Sequence, residues 1–121
     1  EKADVHLGAW QGALQYEVGE KYLHATEQTL VVGAPQLLAV IHQTSESMQL
    51  RRDSNALGED NFPLPETIQR QFVFIGRTEY ENCKAYNGSV SELLVYSRAV
   101  SDLELIEIET YLQKKWACCA E

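Results

Sequence analysis

The chain has 121 residues, 45% hydrophobic and 23% charged, which suits a single domain able to bury a core without metals or disulfides. A formal net charge of −8 and a pI of about 4.8 argue against a phosphate backbone as partner, and no lysine- and arginine-rich stripe offsets that acidity. No apolar run approaches the roughly 20 residues that span a bilayer as a helix. The start, Glu1-Lys2-Ala3-Asp4, lacks Met and any signal-peptide pattern, as expected of a mature or trimmed product.

In chain order, residues 10–23 (WQGALQYEVGEKYL) are aromatic and interrupted by Gly12 and Gly19, consistent with one or two strands near an edge or bulge. Residues 28–32 (QTLVV) read as a strand that stops at Gly33-Ala34-Pro35. Residues 37–42 (LLAVIH) form a near-continuous apolar run, the pattern of a strand covered on both faces. A polar turn at Thr44-Ser45-Glu46 leads into alternating residues 48–50, which predicts a hairpin. Residues 53–70 (DSNALGEDNFPLPETIQR) hold two prolines and little periodicity and read as a long loop. Residues 71–75 (QFVFI) give the next strand, ending at Gly76, and 77–88 (RTEYENCKAYNG) a second long connection.

The last third is patterned differently. Asn87-Gly88 is the sequence of a tight two-residue hairpin turn, and with Ser89 it is also a formal N-glycosylation sequon. The apolar run around Glu92 reads as a buried strand. Its carboxylate then needs a partner, and Arg77 and Arg98 fit by type. Ser101 and Glu104 have the spacing of a capping box, and Val100 and Leu105 that of a hydrophobic staple. Leu105, Ile108, Leu112 and Trp116 recur on one helical face, with glutamates early and Lys114-Lys115 late, which predicts an amphipathic helix over about 102–116.

Candidate chemistry is sparse. The three cysteines, Cys83, Cys118 and Cys119, leave at least one unpaired within the chain. A vicinal Cys118–Cys119 bridge is disfavoured on geometry, so free thiols are expected. Asp53, Asn55, Glu59, Asp60 and Asn61 make an oxygen-rich stretch, the candidate calcium site, set against ordinary solvated loop polarity. Tyr80, Asn82, Tyr86 and Asn87 combine aromatic faces with amides, the chemistry of a sugar-stacking site or a protein-interface anchor. The histidines are scattered, no strand carries two carboxylates on one face, and no phosphate loop is present, so no enzyme activity is expected.

The stretch from Tyr86 to Trp116 resembles the C-terminal signature of concanavalin A-like lectin/glucanase domains of the laminin-G type. The matching positions are Tyr86 and Gly88, then Val90 and Glu92 in an apolar-x-Glu strand. Tyr96, Arg98, Val100, Ser101 and Asp102 follow at the turn, with Tyr111, Leu112, Lys115 and Trp116 at the helix end. Upstream, FVFIGR at 72–77 and LLAVIHQTSESMQL at 37–50 are similar to the family's strand end and preceding hairpin. The family's Asn-Gly hairpin after that region is replaced here by residues 51–55 (RRDSN).

The resemblance implies an all-β jelly-roll sandwich of two antiparallel sheets with one C-terminal helix, in a single domain over 1–121 that is incomplete at its N-terminal side. It also implies a secreted, cell-surface or lumenal setting. The function that follows is non-catalytic recognition, with carbohydrate or a protein surface bound through loops 53–70 and 77–88. The alternative is an accessory subunit or domain of a larger assembly or longer polypeptide, with no small ligand of its own. Glu92, Arg98, Ser101, Glu104 and Trp116 are assigned structural roles.

Overall fold

The computed structural model describes residues 5–25, 30–70, 73–77 and 84–119, without the side chains of Trp10 and His24. Among the described residues six strands build two three-stranded antiparallel sheets, and one helix follows them. The first sheet contains β1 (Val5–Trp10), β2 (Ala13–Val18) and β3 (Lys21–His24), in that order. The second contains β4 (Leu38–His42), β5 (Ser47–Arg52) and β6 (Asn55–Asn61), also in chain order. Each sheet is therefore a meander whose middle strand supplies the inward side chains. The fold is the mostly-β, two-sheet arrangement with a C-terminal helix that the sequence implied.

Turn chemistry sets the strand boundaries. Gln11 and Gly12, both at positive φ (51° and 81°), join β1 to β2 in a two-residue connection, and Gly19 (φ 60°) opens the one between β2 and β3. The two glycines that suggested a bulge are thus turn residues, and residues 10–23 hold two strands and the end of a third. Asp53 and Ser54 (φ 50° and 70°) do the same between β5 and β6, where paired positive φ suits the twist of a two-residue hairpin. The Asp53 carboxylate accepts from the Leu37 amide at 2.9 Å, and the Arg51 guanidinium donates to the Ser54 carbonyl at 2.7 Å. These bonds fix a conformation that Asn-Gly adopts unaided.

Strand β2 alternates strictly, with Leu14, Tyr16 and Val18 buried. From the facing sheet come Met48 and Leu50, and Ala25 and Phe62 complete the core between the sheets. Leu14 and Leu50 are essentially inaccessible, each worth about 2–3 kcal/mol of burial. One polar group is built into this wall. His42 Nε2 lies 2.8 Å from the Phe62 carbonyl, which can only accept, so Nε2 carries the proton and Nδ1 accepts from the Tyr16 hydroxyl at 3.3 Å. Burial pushes the Tyr16 phenol up from its ordinary value.

The outward side of β5 faces the helix α1 (Asp102–Trp116). Its start has the expected box: Ser101 Oγ accepts from the Glu104 amide and the Glu104 carboxylate accepts from the Ser101 amide, both at 3.2 Å. Arg98 adds a two-pronged contact to the same carboxylate at 3.1 and 2.6 Å. Ala117, at φ 50°, ends the helix in a left-handed cap. The buried stripe runs through Leu105 and Glu109, while Trp116 lies half-exposed.

Several expectations fail for one reason, the absence of a ladder partner among the described residues. Of the strand expected at 28–32, residues 28–29 lie outside the described set, and 30–32 form no strand but lead into a turn that begins at Val32; the Leu30 amide donates to the Gly12 carbonyl at 3.0 Å. Residues 73–75 of the expected 71–75 strand form no strand and are exposed, and 71–72 lie outside the described set. Residues 90–96, expected as a buried strand, are neither strand nor helix, and Val95 is 84% exposed. No hairpin forms at Asn87-Gly88, and neither residue has positive φ. The reverse error occurs at 53–70, where most of the first half is strand β6 because β5 offers it an edge.

Candidate functional site

The proposed calcium ligands are dispersed by strand geometry. Asp53 lies in the β5–β6 turn and Asn55 begins β6, whereas Glu59 and Asp60 lie near the far end of β6. Four residues of strand separate Asn55 from Glu59 by about 13 Å, when calcium needs oxygens converging at about 2.4 Å. Each group is otherwise engaged. Asp53 binds the Leu37 amide, Asn55 donates to the Asp53 carbonyl, Glu59 accepts from Gln49 at 2.6 Å, and Asp60 accepts from the Asn61 amide. Among the described residues no three His, Cys, Asp or Glu side chains could hold a metal ion together.

Of the proposed ligand-binding loop, Tyr80 and Asn82 lie outside the described residues, as does Cys83. Tyr86 is exposed and has not entered the core. Its amide donates to the Gly76 carbonyl at 2.6 Å and its hydroxyl to the Ser89 carbonyl at 3.2 Å. The ring folds over Gly88, where an added Cβ would sit 2.5 Å from the hydroxyl oxygen. Asn87 stands beside it, exposed. One groove of about 460 Å³ lies between β5, β6 and the start of α1, and another of about 280 Å³ beneath the β2–β3 turn. Neither is lined by Tyr86 or Asn87, and the larger lacks aromatic side chains. Neither of these two grooves therefore gathers aromatic and amide side chains together.

Glu92 has other partners than expected. In place of Arg77 and Arg98 it takes the Lys115 ammonium at 2.8 Å, the Trp116 indole N–H at 3.0 Å and the Tyr111 hydroxyl at 3.1 Å. Lys115 also donates to the Tyr111 hydroxyl and lies over the Tyr111 and Trp116 rings. The hydrogen bond from Lys115 holds the Glu92 carboxyl below its ordinary value, against partial burial, with Trp116 and Tyr111 adding to the lowering. Glu92 in turn raises the Lys115 ammonium. Arg77 sits over the Phe74 ring at 4.4 Å, and Arg98 serves the helix cap. This cluster ties the segment 90–96 to the last turns of α1 at a single point.

Two features had no counterpart in the sequence reading. Arg51, 14% exposed, and Glu109, 5% exposed, form an ion pair across the β5–α1 junction through contacts at 3.2 and 2.9 Å. The readable signal was an acid in line with Leu105 on the helix's buried face, which demands a partner. Gln113 bridges the same junction lower down, donating to Ser54 Oγ at 2.9 Å and to the Cys119 carbonyl at 3.0 Å. Contrary to expectation, Cys118 and Cys119 are joined to each other, just past the left-handed cap.

The remaining candidate is a surface. Residues 90–96 (VSELLVY) expose Val90, Leu93, Leu94, Val95 and Tyr96. No backbone hydrogen bond is made by any of the seven among the described residues. Thirteen residues, 85–97, contain one charged side chain, Glu92, where the chain's 23% charged fraction would place about three. That one charge is neutralised by Lys115. Beyond the clamp, α1 exposes Tyr111 and Trp116 beside the strip and Leu103 and Ile106 nearer its start.

No family model matches the sequence, and no curated protein matches it. One solved structure that is similar is an S-layer domain-containing protein (residues 221–444) from Clostridium thermocellum, with 21% identity and a TM-score of 0.52. The match covers 81% of this chain and 52% of that structure, so the chain spans about half its length. The likeness is one of fold.

Proposed function

We propose that this domain is a non-catalytic interaction module that joins another polypeptide through the strip 90–96. The observation that carries the reading is the combination of exposed apolar side chains with a backbone unpaired among the described residues, on one charge-poor segment. An apolar surface that is depleted of charge has the composition of a protein-interface core. Sugars ask for something else, aromatic faces and polar groups gathered in a pocket, and Tyr86 and Asn87 lack that setting. The assembly role is therefore preferred to carbohydrate recognition.

A cell-surface or extracellular setting accompanies this reading. It is supported by the fold shared with an S-layer domain-containing protein and by the resemblance of residues 86–116 to the laminin-G-type signature. Among the described residues no helix is long and apolar enough to cross a membrane.

The test is backbone amide hydrogen exchange on the dilute chain, paired with a glycan array. The amides of 90–96 should exchange near the unprotected rate while those of β5 are slow. Protection of 90–96 equal to that of β5 would mean the strip already belongs to the fold, and the reading would fall. A sugar bound by the wild type and lost in Tyr86→Ala would replace it with lectin activity.

A further inference from the structure

We propose that residues 90–96 pair with the same segment of a second copy of this chain, antiparallel and centred on Leu93, to form a two-stranded seam. The inference rests on the strip's role as an interaction surface and names its occupant.

The backbone supplies the first argument. Seven successive residues whose backbone makes no hydrogen bond among the described residues offer, at every second position, donors and acceptors that another extended chain can match. Natural proteins guard such rows with lysine, proline or an inward charge, and residues 90–96 have none of these facing outward. The only charge in the strip, Glu92, is turned onto α1 and held there by Lys115, Trp116 and Tyr111.

The pattern supplies the second. Centring the pair on Leu93 sets Val90 opposite Tyr96, a β-branched residue against an aromatic, and Ser91 opposite Val95. Leu93 meets its own copy. Glu92 and Tyr96 share a parity, so the clamp keeps one face of the segment toward its own helix. Leu93 and Val95, 58% and 84% exposed, lie on the other parity. The self-pair places no two charges opposite each other.

Charge supplies the third. Each chain carries −8, so two copies repel at long range, but the strip is neutral and the repulsion acts from elsewhere on the surface. Salt should therefore tighten the pair, the reverse of what a basic partner strand would give. A seam of one short strand from each copy is small for an interface, so affinity at about the micromolar level or weaker is expected.

Sedimentation equilibrium on the whole chain, over about a hundredfold range of concentration bracketing the micromolar region, tests this. A monomer–dimer equilibrium strengthened by sodium chloride is expected. Leu93→Lys and Leu93→Glu each place like charges opposite at the centre and should weaken the dimer at least about tenfold. Mixed in equal amounts they should form a heterodimer, since lysine then faces glutamate. Circular dichroism checks that both variants fold, which the exposure of Leu93 favours. In the concentrated wild type, alternate amides of 90–96 should slow in hydrogen exchange.

A wild type that stays monomeric with rapidly exchanging 90–96 amides overturns the self-pairing and leaves the interaction reading standing. Amides of 90–96 protected even in the dilute monomer overturn both. Single variants that dimerise like the wild type, or a mixture that does not restore the dimer, refute the seam centred on Leu93.

Discussion

Replacing Glu109 with alanine should destabilise the domain by about 3–5 kcal/mol, because it strands a buried guanidinium. Arg51 spends its donors on Glu109 at 3.2 and 2.9 Å, Gln49 at 2.9 Å and the Ser54 carbonyl at 2.7 Å. Removing the carboxylate takes away two of those contacts and the charge that neutralises Arg51. At 2.9 Å the gross attraction is about 6 kcal/mol for an effective dielectric of about 20, and desolvation of both ions consumes much of it. The net value of the pair is therefore small even though breaking it is expensive. Glu109→Gln keeps an acceptor and should lose less, about 1–3 kcal/mol. The double variant Arg51→Met with Glu109→Leu should return to within about 1 kcal/mol of the wild type or exceed it. Urea unfolding followed by far-UV circular dichroism, with a constant slope across the series, measures all four. A cost below about 1 kcal/mol for Glu109→Ala, or a double variant as unstable as the single, would falsify the claim that this pair is buried and interdependent.

Three further outcomes follow from the same geometry. Leu50→Ala, at a side chain with no exposed surface between the sheets, should cost about 2–5 kcal/mol by urea titration; less than about 1 would mean the two sheets do not share a core. Ser101→Ala should cost about 0.5–2 kcal/mol and lower the helical signal before the sheets melt. The two-pronged contact from Arg98, with the Ser101 amide, holds the Glu104 carboxyl down to about 2. Its contribution to the helix start is thus complete above the ordinary carboxylate value and lost as pH falls through about 2. Carboxyl NMR titration of Glu104 should show this low midpoint, moving upward in Arg98→Ala and, more weakly, in high salt.

The helix was legible to the residue, since every signal for it is local: cap, box, dipole and periodicity all lie between Ser101 and Trp116. Strands were legible where apolar side chains mark them, as in β4 and β5. Strand β6 was not, because NALGEDN has neither alternation nor β-branched residues and owes its conformation to the edge that β5 presents. Residues 73–75 and 90–96 show the converse. Their composition favours strand, yet a strand needs a neighbour, and no composition records whether one is present. The partner of Glu92 was misassigned for a related reason. Lys115 lies closer in the folded chain than Arg77 or Arg98, but only the return of α1 past residue 92 brings it there. The dispersal of the proposed calcium ligands was hidden by treating a strand as a loop, which lets oxygens converge where a pleat keeps them apart.

Because both sheets are meanders, their pairings close connections of only a few residues, and the chain entropy spent on each hairpin is small. Seating α1 on β5 is the exception, since Arg51 and Glu109 are 58 positions apart. Closing a segment of that length costs about 2–3 kcal/mol more than closing a four-residue turn. The sheets can therefore organise while the last helix is still a tethered amphipathic segment. Variants at Glu109 should accelerate unfolding and leave the refolding rate nearly unchanged, the kinetic mark of a contact made after the barrier.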